Sequence, residues 1–380
     1  MRISIPESKK LTKVLISTGV IVSHPHDFYG YFGWPTVSRI SEGVIGVVAS
    51  GFRNSHIGPF GRTVLTITKD EGKTWSPVHV INDSPLDDRD AGLLRLSDNS
   101  LLLSWFTMHY SSKIKDKIHS WEDLELARHH LNAFKFFNDS TIHRWYGSWT
   151  QISLNAGETW ESPYRAPVTA PHGPVLLSSG NLLYFGKEFL RDIDGYEEGT
   201  GSISAFESKD QGRNWQICGR VPTCPGTIIG ENQEPHVLEI EKGRLIGILR
   251  LSALTEERKN VDTFVNYSMA QTLSSDGGKT WSTPEKFGFH GSTPHLMRHS
   301  AGSIVLTYGY RKKPQGIRVL IGNGETWTSH FILRNDGIDT DIGYPSSVEL
   351  LDGSILTVSY QRLSPTDKMC SLVWTKWELP

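Results

Sequence analysis

Six positions in this chain place a chemically capable residue just before an apolar strand: Trp34, Asp90, His172, Glu234, Thr293 and Tyr344. The strand that pairs with each of those strands ends in a second such residue, in turn Arg53, His109, Lys187, Arg250, Arg311 and Gln361. A fold that gathers these positions would put phenol, carboxylate, imidazole and guanidinium groups into one pocket. Imidazoles exchange protons near neutral pH. Guanidinium groups stay charged and can hold a carboxylate through two parallel hydrogen bonds. A phenol, with a pKa near 10, attacks at neutral pH only beside a base.

The elements that must do this gathering are repeats. PTVSRISEGVIGVVAS, DAGLLRLSDNSLLLSW, GPVLLSSGNLLYFG, PHVLEIEKGRLIGILR, PHLMRHSAGSIVLTYGYR and PSSVELLDGSILTVSY each read as two mostly buried strands joined by a small turn. A second repeat interleaves with them: TKDEGKTW ending at Trp75, SLNAGETW at Trp160, SKDQGRNW at Trp215, SSDGGKTW at Trp281, and a shorter GNGETW at Trp327. In each, glycine permits positive φ and the Asp or Asn side chain caps turn N–H groups. Two hairpins make about four strands per unit, and six units account for nearly all of residues 1–380 as one all-β, six-bladed propeller domain. Corresponding positions then meet around the axis. The sixth unit lacks the tryptophan-ended turn, and the strand KVLISTGVIV at residues 13–22 is expected to close the ring beside it. Residues 107–147 interrupt the second unit with a helical pattern, read as an insertion that packs on the flank, covers the site or contacts another copy in a homo-oligomer.

Composition narrows the partners. With 39 basic and 41 acidic residues spread without runs, the chain offers no nucleic-acid or membrane-surface patch, so a small-molecule or glycan substrate is the expected ligand. The cysteines Cys218, Cys224 and Cys370 make no ligand spacing or disulfide framework. No stretch is long and apolar enough for a membrane span, and the N-terminus lacks a cleavage pattern, so a cytoplasmic location is expected. His172, His236 and His295 recur at inner-strand starts, where they could meet substrate hydroxyls, but they form no metal-ligand motif. Neither metal nor cofactor is expected.

The Asp-box turns SKDQGRNW and SSDGGKTW, with EPHVLEIEKGRLIGILR and GYPSSVELLDGSILTVSY, resemble the sialidase (neuraminidase) superfamily over roughly residues 30–362. The resemblance implies a six-bladed propeller and exo-glycosidic cleavage of a terminal acidic sugar, sialic-acid-like or uronic. It also implies a tyrosine nucleophile, here Tyr344 in GYPSS, activated by a glutamate, here Glu234 in NQEPH. Such enzymes depart from the two-carboxylate scheme, because a tyrosine avoids charge repulsion with an anionic sugar. Arg250 matches a carboxylate-binding arginine, and Arg311 or Arg318 could supply another, while Arg53 ends the blade-one partner strand.

The pattern fails at two points. Where the family has its first arginine this chain reads GYFGWPTV, leaving Trp34, which could stack on a sugar ring; the glutamate that holds that arginine is replaced by Gln361. No carboxylate follows Arg53 in FRNSHIGPFGR, so the acid/base is left among His56, Asp90 and Asp341. A polysaccharide lyase acting on uronates and a non-catalytic carbohydrate-binding propeller remain open beside the hydrolase.

Overall fold

A computed structural model gives the structure of the protein. It describes residues 3, 5–7, 9–10, 15–97, 99–109, 123–189, 200–260 and 265–380. Six sheets, antiparallel except where Lys9–Lys10 pairs parallel with Trp327–Arg334, are built mainly from consecutive segments of chain, and their innermost strands pack against one another in a closed ring. The fold is the six-bladed propeller that the repeats imply.

The inner strands of blades one, two, four, five and six are Tyr31–Ser41, Asp87–Ser97, Asn232–Glu241, Ser292–Arg298 and Gly343–Glu349. In blade three the inner strand is split into Val168–Thr169 and Val175–Leu176, both paired with Leu182–Glu188. Pro171 and Pro174 lie in the gap, and proline cannot donate to a ladder. Blade six takes its outer strand from the N-terminus: Leu15–Val22 pairs antiparallel with Ser371–Trp377. The expected closure is therefore present, apart from residues 13 and 14, which lie outside the described residues. Joining the two chain ends in one sheet removes an exposed edge.

The tryptophan-ended turns clip the blades together. Thr68 Oγ1 donates to Asp70 (2.7 Å) and accepts from the Gly72 N–H (3.0 Å), while Asp70 also accepts from the Thr74 N–H (2.9 Å). Asn155, Asp210 and Asp276 accept from the residue four positions on at 2.9 Å in their own blades. Gly72, at φ 88°, lies against blade six: a Cβ there would stand 3.3 Å from Leu356. Each turn follows the third strand of its blade. That strand runs away from the pocket, so these turns lie on the far face.

The insertion in blade two contains the helices Leu124–Ala133 and Asp139–Trp145, between the strands Ser100–Met108 and Gly147–Ser153. Asp123 and Asn138 cap them, accepting from the Leu126 and Thr141 N–H groups at 2.9 Å. Residues 110–122 of the expected insertion lie outside the described residues. His129 packs on Phe28 (5.3 Å) and Phe60 (6.2 Å), and Phe137 packs on Phe60 (5.6 Å). The helices therefore brace the loop that follows Arg53. No helix among the described residues is long and apolar enough to cross a membrane.

Candidate active site

At the mouth of the ring, five inner strands share one backbone device. Trp34, Asp90, Glu234, Thr293 and Tyr344 have φ of 55°, 50°, 38°, 54° and 48°. Each occupies a bulge at which the inner strand carries one more residue than its partner. Non-glycine residues in this region cost roughly 1–3 kcal/mol apiece and persist only where the surrounding structure imposes them. Here the bulge turns the side chain inward at the same level in these five blades.

Tyr344 and Glu234, 110 residues apart, are joined directly: the phenol donates to Glu234 Oε1 at 2.7 Å. Arg250 Nη1 bonds Glu234 Oε2 and lies 3.3 Å from the Tyr344 oxygen, and Nη2 donates to Gln233 Oε1 at 2.7 Å. Thr293 Oγ1 donates to Glu234 Oε2 at 2.8 Å. Burial, and then Glu234, hold the Tyr344 pKa well above the usual 10, so the phenol rests neutral with its proton aimed at the carboxylate.

Arg311 flanks the same cluster. Its guanidinium and that of Arg250 lie 5.4 and 5.6 Å from the ring of Tyr267. Among the described residues its one hydrogen bond is from Nε to Ile342 O (3.2 Å), which leaves both terminal nitrogens for a ligand.

Asp90 and Glu234 line a cavity of about 470 Å³ with Lys187, Gln233, Thr169 and Tyr146. Asp90 is 5% exposed, and among the described residues its Oδ1 has no hydrogen-bond partner. Burial lifts its pKa to about 7, against the pull of Arg89 and with a push from Glu234. The Asp90 carboxyl therefore keeps its proton to far higher pH than an ordinary carboxylate. Lys187 donates to Gly230 O at 2.8 Å, and burial lowers its pKa to about 8.

His56 and Asp341 form a second cluster at the rim. Nδ1 of His56 is 2.8 Å from Asp341 Oδ1, and that carboxylate also accepts from the hydroxyls of Tyr31 (3.1 Å) and Tyr360 (3.0 Å). Burial opposes the Asp341 charge, but the His56 and tyrosine hydrogen bonds hold its pKa down at about 2. Trp34 meets both clusters edge to face, 5.0 Å from the His56 ring and 6.4 Å from that of Tyr344.

Several sequence expectations need correction. Trp34 is 1% exposed, with the guanidinium of Arg89 at 4.1 Å and that of Arg53 at 5.0 Å from its ring. Its face is covered by arginine and cannot stack on a sugar. Arg53 is 0% exposed and bonds both carboxylate oxygens of Asp87, Ser50 Oγ and the carbonyls of Ser55 and His56; it braces blades one and two instead of binding substrate. Arg318 donates to the carbonyls of Ile317, Pro314 and Arg334 and stacks on Tyr310 at 4.4 Å. Gln361 turns to Asp336 at 3.3 Å. Neither belongs to the Tyr344 cluster. Arg89 pairs with Asp87 (3.3 Å).

His172 lies one layer deeper than its counterparts, because the split strand shifts its blade: Thr36 Oγ1 lies 3.0 Å from its Nδ1. It meets His236 and His295 around the axis, with ring centroids 4.6–5.6 Å apart. Nδ1 of His236 and of His295 accept the Leu296 and Ser347 N–H groups, at 3.0 and 3.3 Å. Packing and backbone bonding thus define their role, in place of the expected contacts with substrate hydroxyls. No group of three His, Cys, Asp or Glu among the described residues is arranged to hold a metal ion.

Sequence reasoning missed Tyr267, Gln233, Tyr31 and Tyr360. Gln233 and Tyr360 carried a local signal, since they immediately precede Glu234 and Gln361. A larger cleft of about 810 Å³ opens beside blades two and three. Two of its arginines are neutralised, Arg213 by Glu161 (2.6 Å) and Arg220 by Glu188 (2.8 Å).

Residues 127–357, more than half of the chain, match the model of the BNR repeat-like domain family. No curated protein matches the sequence. Among solved structures, a protein of unknown function from Dyadobacter fermentans superposes with a TM-score of 0.72 at 22% identity, covering 96% of this chain and 99% of that one. The intramolecular trans-sialidase of Ruminococcus gnavus, solved with oseltamivir carboxylate, gives 0.62 at 14% identity over 97% and 98% of the two chains. The Trypanosoma rangeli sialidase, solved as a covalent intermediate with 2,3-difluorosialic acid, gives 0.58 at 16% identity over 91% of this chain and 54% of that one. The present chain thus spans about half of the Trypanosoma enzyme. At these identities the likeness establishes the fold.

Proposed function

The chain belongs to the BNR repeat-like domain family, and from that premise we propose that it is a sialidase-like exo-glycoside hydrolase acting on a terminal carboxylated sugar. The observation that carries this reading is the 2.7 Å bond from the Tyr344 hydroxyl to Glu234. A buried phenol held neutral is a poor nucleophile until a base removes its proton, and Glu234 accepts that proton as the bond to the anomeric carbon forms. Arg250 lies beside both groups and steadies the negative charge that passes between them. The terminal nitrogens of Arg311, together with the guanidinium of Arg250, suit a carboxylate attached to the reacting carbon. An anionic substrate repels a carboxylate nucleophile but not a neutral tyrosine, which ties the choice of nucleophile to the choice of sugar. Asp90, in the protonated form that burial favours, donates a hydrogen bond to a ring substituent.

The test is a panel of aryl glycosides, sialosides and uronides included, run beside an ultraviolet assay for unsaturated product. Release of the aryl alcohol with retained anomeric configuration, reduced by several orders of magnitude in Tyr344→Phe, supports the reading. An absorbing product would make the protein a lyase. Saturable binding without turnover would make it a carbohydrate-binding propeller.

A further inference from the structure

His56 and Asp341 are brought together from positions 285 residues apart, and the Tyr344–Glu234 chemistry does not use them. The imidazole side chain is 44% exposed and that of Asp341 is 21% exposed. Four donors converge on this one carboxylate: His56 Nδ1, Tyr31, Tyr360 and, at 3.6 Å, the Cys370 thiol. A carboxylate so held fixes the imidazole in one orientation, with its Nδ1–H on Asp341 and its Nε2 directed away from the cluster. Trp34 packs edge to face on both the His56 and the Tyr344 rings, so the imidazole and the nucleophile stand on one rigid platform. The loop that carries His56 is braced in turn by Phe60 against the helical insertion.

Position separates His56 from the other titratable candidate. Asp90 lies at the floor beside Glu234 and is 5% exposed. A leaving aglycone must depart toward solvent, so the group that protonates its oxygen has to stand at the rim. We propose that His56 is the acid/base at the glycosidic oxygen, with Asp341, Tyr31 and Tyr360 as its positioning residues. The proposal rests on the hydrolase reading above.

The step balances. In the first half-reaction the Tyr344 oxygen bonds to the anomeric carbon as the bond from that carbon to the aglycone oxygen breaks. The phenol proton passes to Glu234, the imidazolium Nε2 proton passes to the departing oxygen, and the aglycone leaves as an alcohol. In the second, water attacks the anomeric carbon and gives a proton to His56 Nε2. The tyrosyl bond breaks, and the phenolate recovers its proton from Glu234. Net, one glycosidic bond is hydrolysed and every side chain returns to its starting form.

The groups that face the imidazole are Asp341, Tyr31, Arg53 and Arg89. Burial lowers the His56 pKa from 6.5, while Asp341 raises it. The first half-reaction needs the imidazolium, which is present below that pKa and lost above it. Activity therefore falls as pH rises through a value below 6.5, and Asp341→Asn moves that fall to lower pH.

The experiment compares two glycosides of the sugar that the protein turns over, a dinitrophenyl glycoside and a methyl glycoside, in the wild type, His56→Ala, Asp341→Asn and Asp90→Asn. General acid catalysis contributes roughly 10²–10⁴-fold. His56→Ala is expected to lose that factor on the methyl glycoside and far less on the dinitrophenyl one, whose leaving group needs no proton, and added azide is expected to restore rate on the dinitrophenyl substrate. Asp341→Asn is expected to shift the pH limb downward, which loss of packing alone would not do. Equal losses on both substrates in His56→Ala, or a leaving-group dependence that appears in Asp90→Asn instead, would overturn the assignment while leaving the Tyr344 reading intact. No turnover of any glycoside by the wild type would overturn both.

Discussion

Replacing Arg53 by methionine isolates the most consequential correction to the sequence reading. Methionine keeps an unbranched apolar stem and removes the guanidinium, which is 0% exposed and bonded to both carboxylate oxygens of Asp87, itself 1% exposed. The variant leaves a buried carboxylate with Arg89, at 3.3 Å, as its remaining cationic partner, and frees the Ser55 carbonyl that Arg53 had satisfied, while the His56 carbonyl keeps its 2.8 Å bond from Arg89. Breaking a buried pair from one side costs about 3–5 kcal/mol. With an unfolding entropy of roughly 2.1 cal/mol/K per residue over the chain, that corresponds to a Tm fall of about 4–6 °C. Scanning calorimetry reads the shift directly. A double variant, Arg53→Met with Asp87→Leu, is expected to recover part of it, because removing both charges leaves neither one stranded. A Tm within about 1 °C of the wild type, accompanied by a higher KM, would refute the reasoning and return Arg53 to the substrate.

Two further outcomes are expected. Hydrogen bonds from Thr74 and Thr68 hold the Asp70 pKa at about 2, and Thr280 and Ser274 do the same for Asp276. These folded values are depressed, so the stabilisation is full above the ordinary carboxyl range near pH 4 and is lost as pH falls through about 2. Because Asn155 caps the equivalent turn of blade two, the double variant Asp70→Asn, Asp276→Asn should lose less Tm between pH 4 and pH 2 than the wild type, with turnover per folded molecule unchanged. Arg311→Met should raise KM for a carboxylated glycoside by roughly 10- to 100-fold, the value of one charged hydrogen-bonding contact, and leave an uncharged analogue nearly unaffected. Equal effects on the two substrates would exclude carboxylate recognition by Arg311.

The blade register was legible because the Asp-box turn needs specific residues at fixed offsets, and each turn locates the hairpin beside it. That register identified Trp34, Asp90, Glu234, Thr293 and Tyr344 as equivalent, and all five adopt positive φ at a bulge. It failed in blade three, where Pro171 and Pro174 split the inner strand and lowered His172 by one layer. The roles of Trp34 and Arg53 could not be read locally, because their burial depends on Asp87 and Arg89 from the next blade. The His56–Asp341 cluster was equally hidden. It joins a loop of blade one to the approach of blade six, and hydroxyls from Tyr31 and Tyr360 complete it. No spacing in the chain encodes that meeting; ring closure creates it.

The central claim is that the Tyr344 oxygen attacks the anomeric carbon with Glu234 as its base. The most direct measurement is to incubate the protein with a fluorosugar fluoride of the glycoside that it cleaves, then locate the adduct by intact-mass and peptide-mapping mass spectrometry. A single adduct on Tyr344, absent from Tyr344→Phe and slowed in Glu234→Gln, is the predicted result. A stoichiometric adduct on any other residue, or full turnover by Tyr344→Phe, would contradict it.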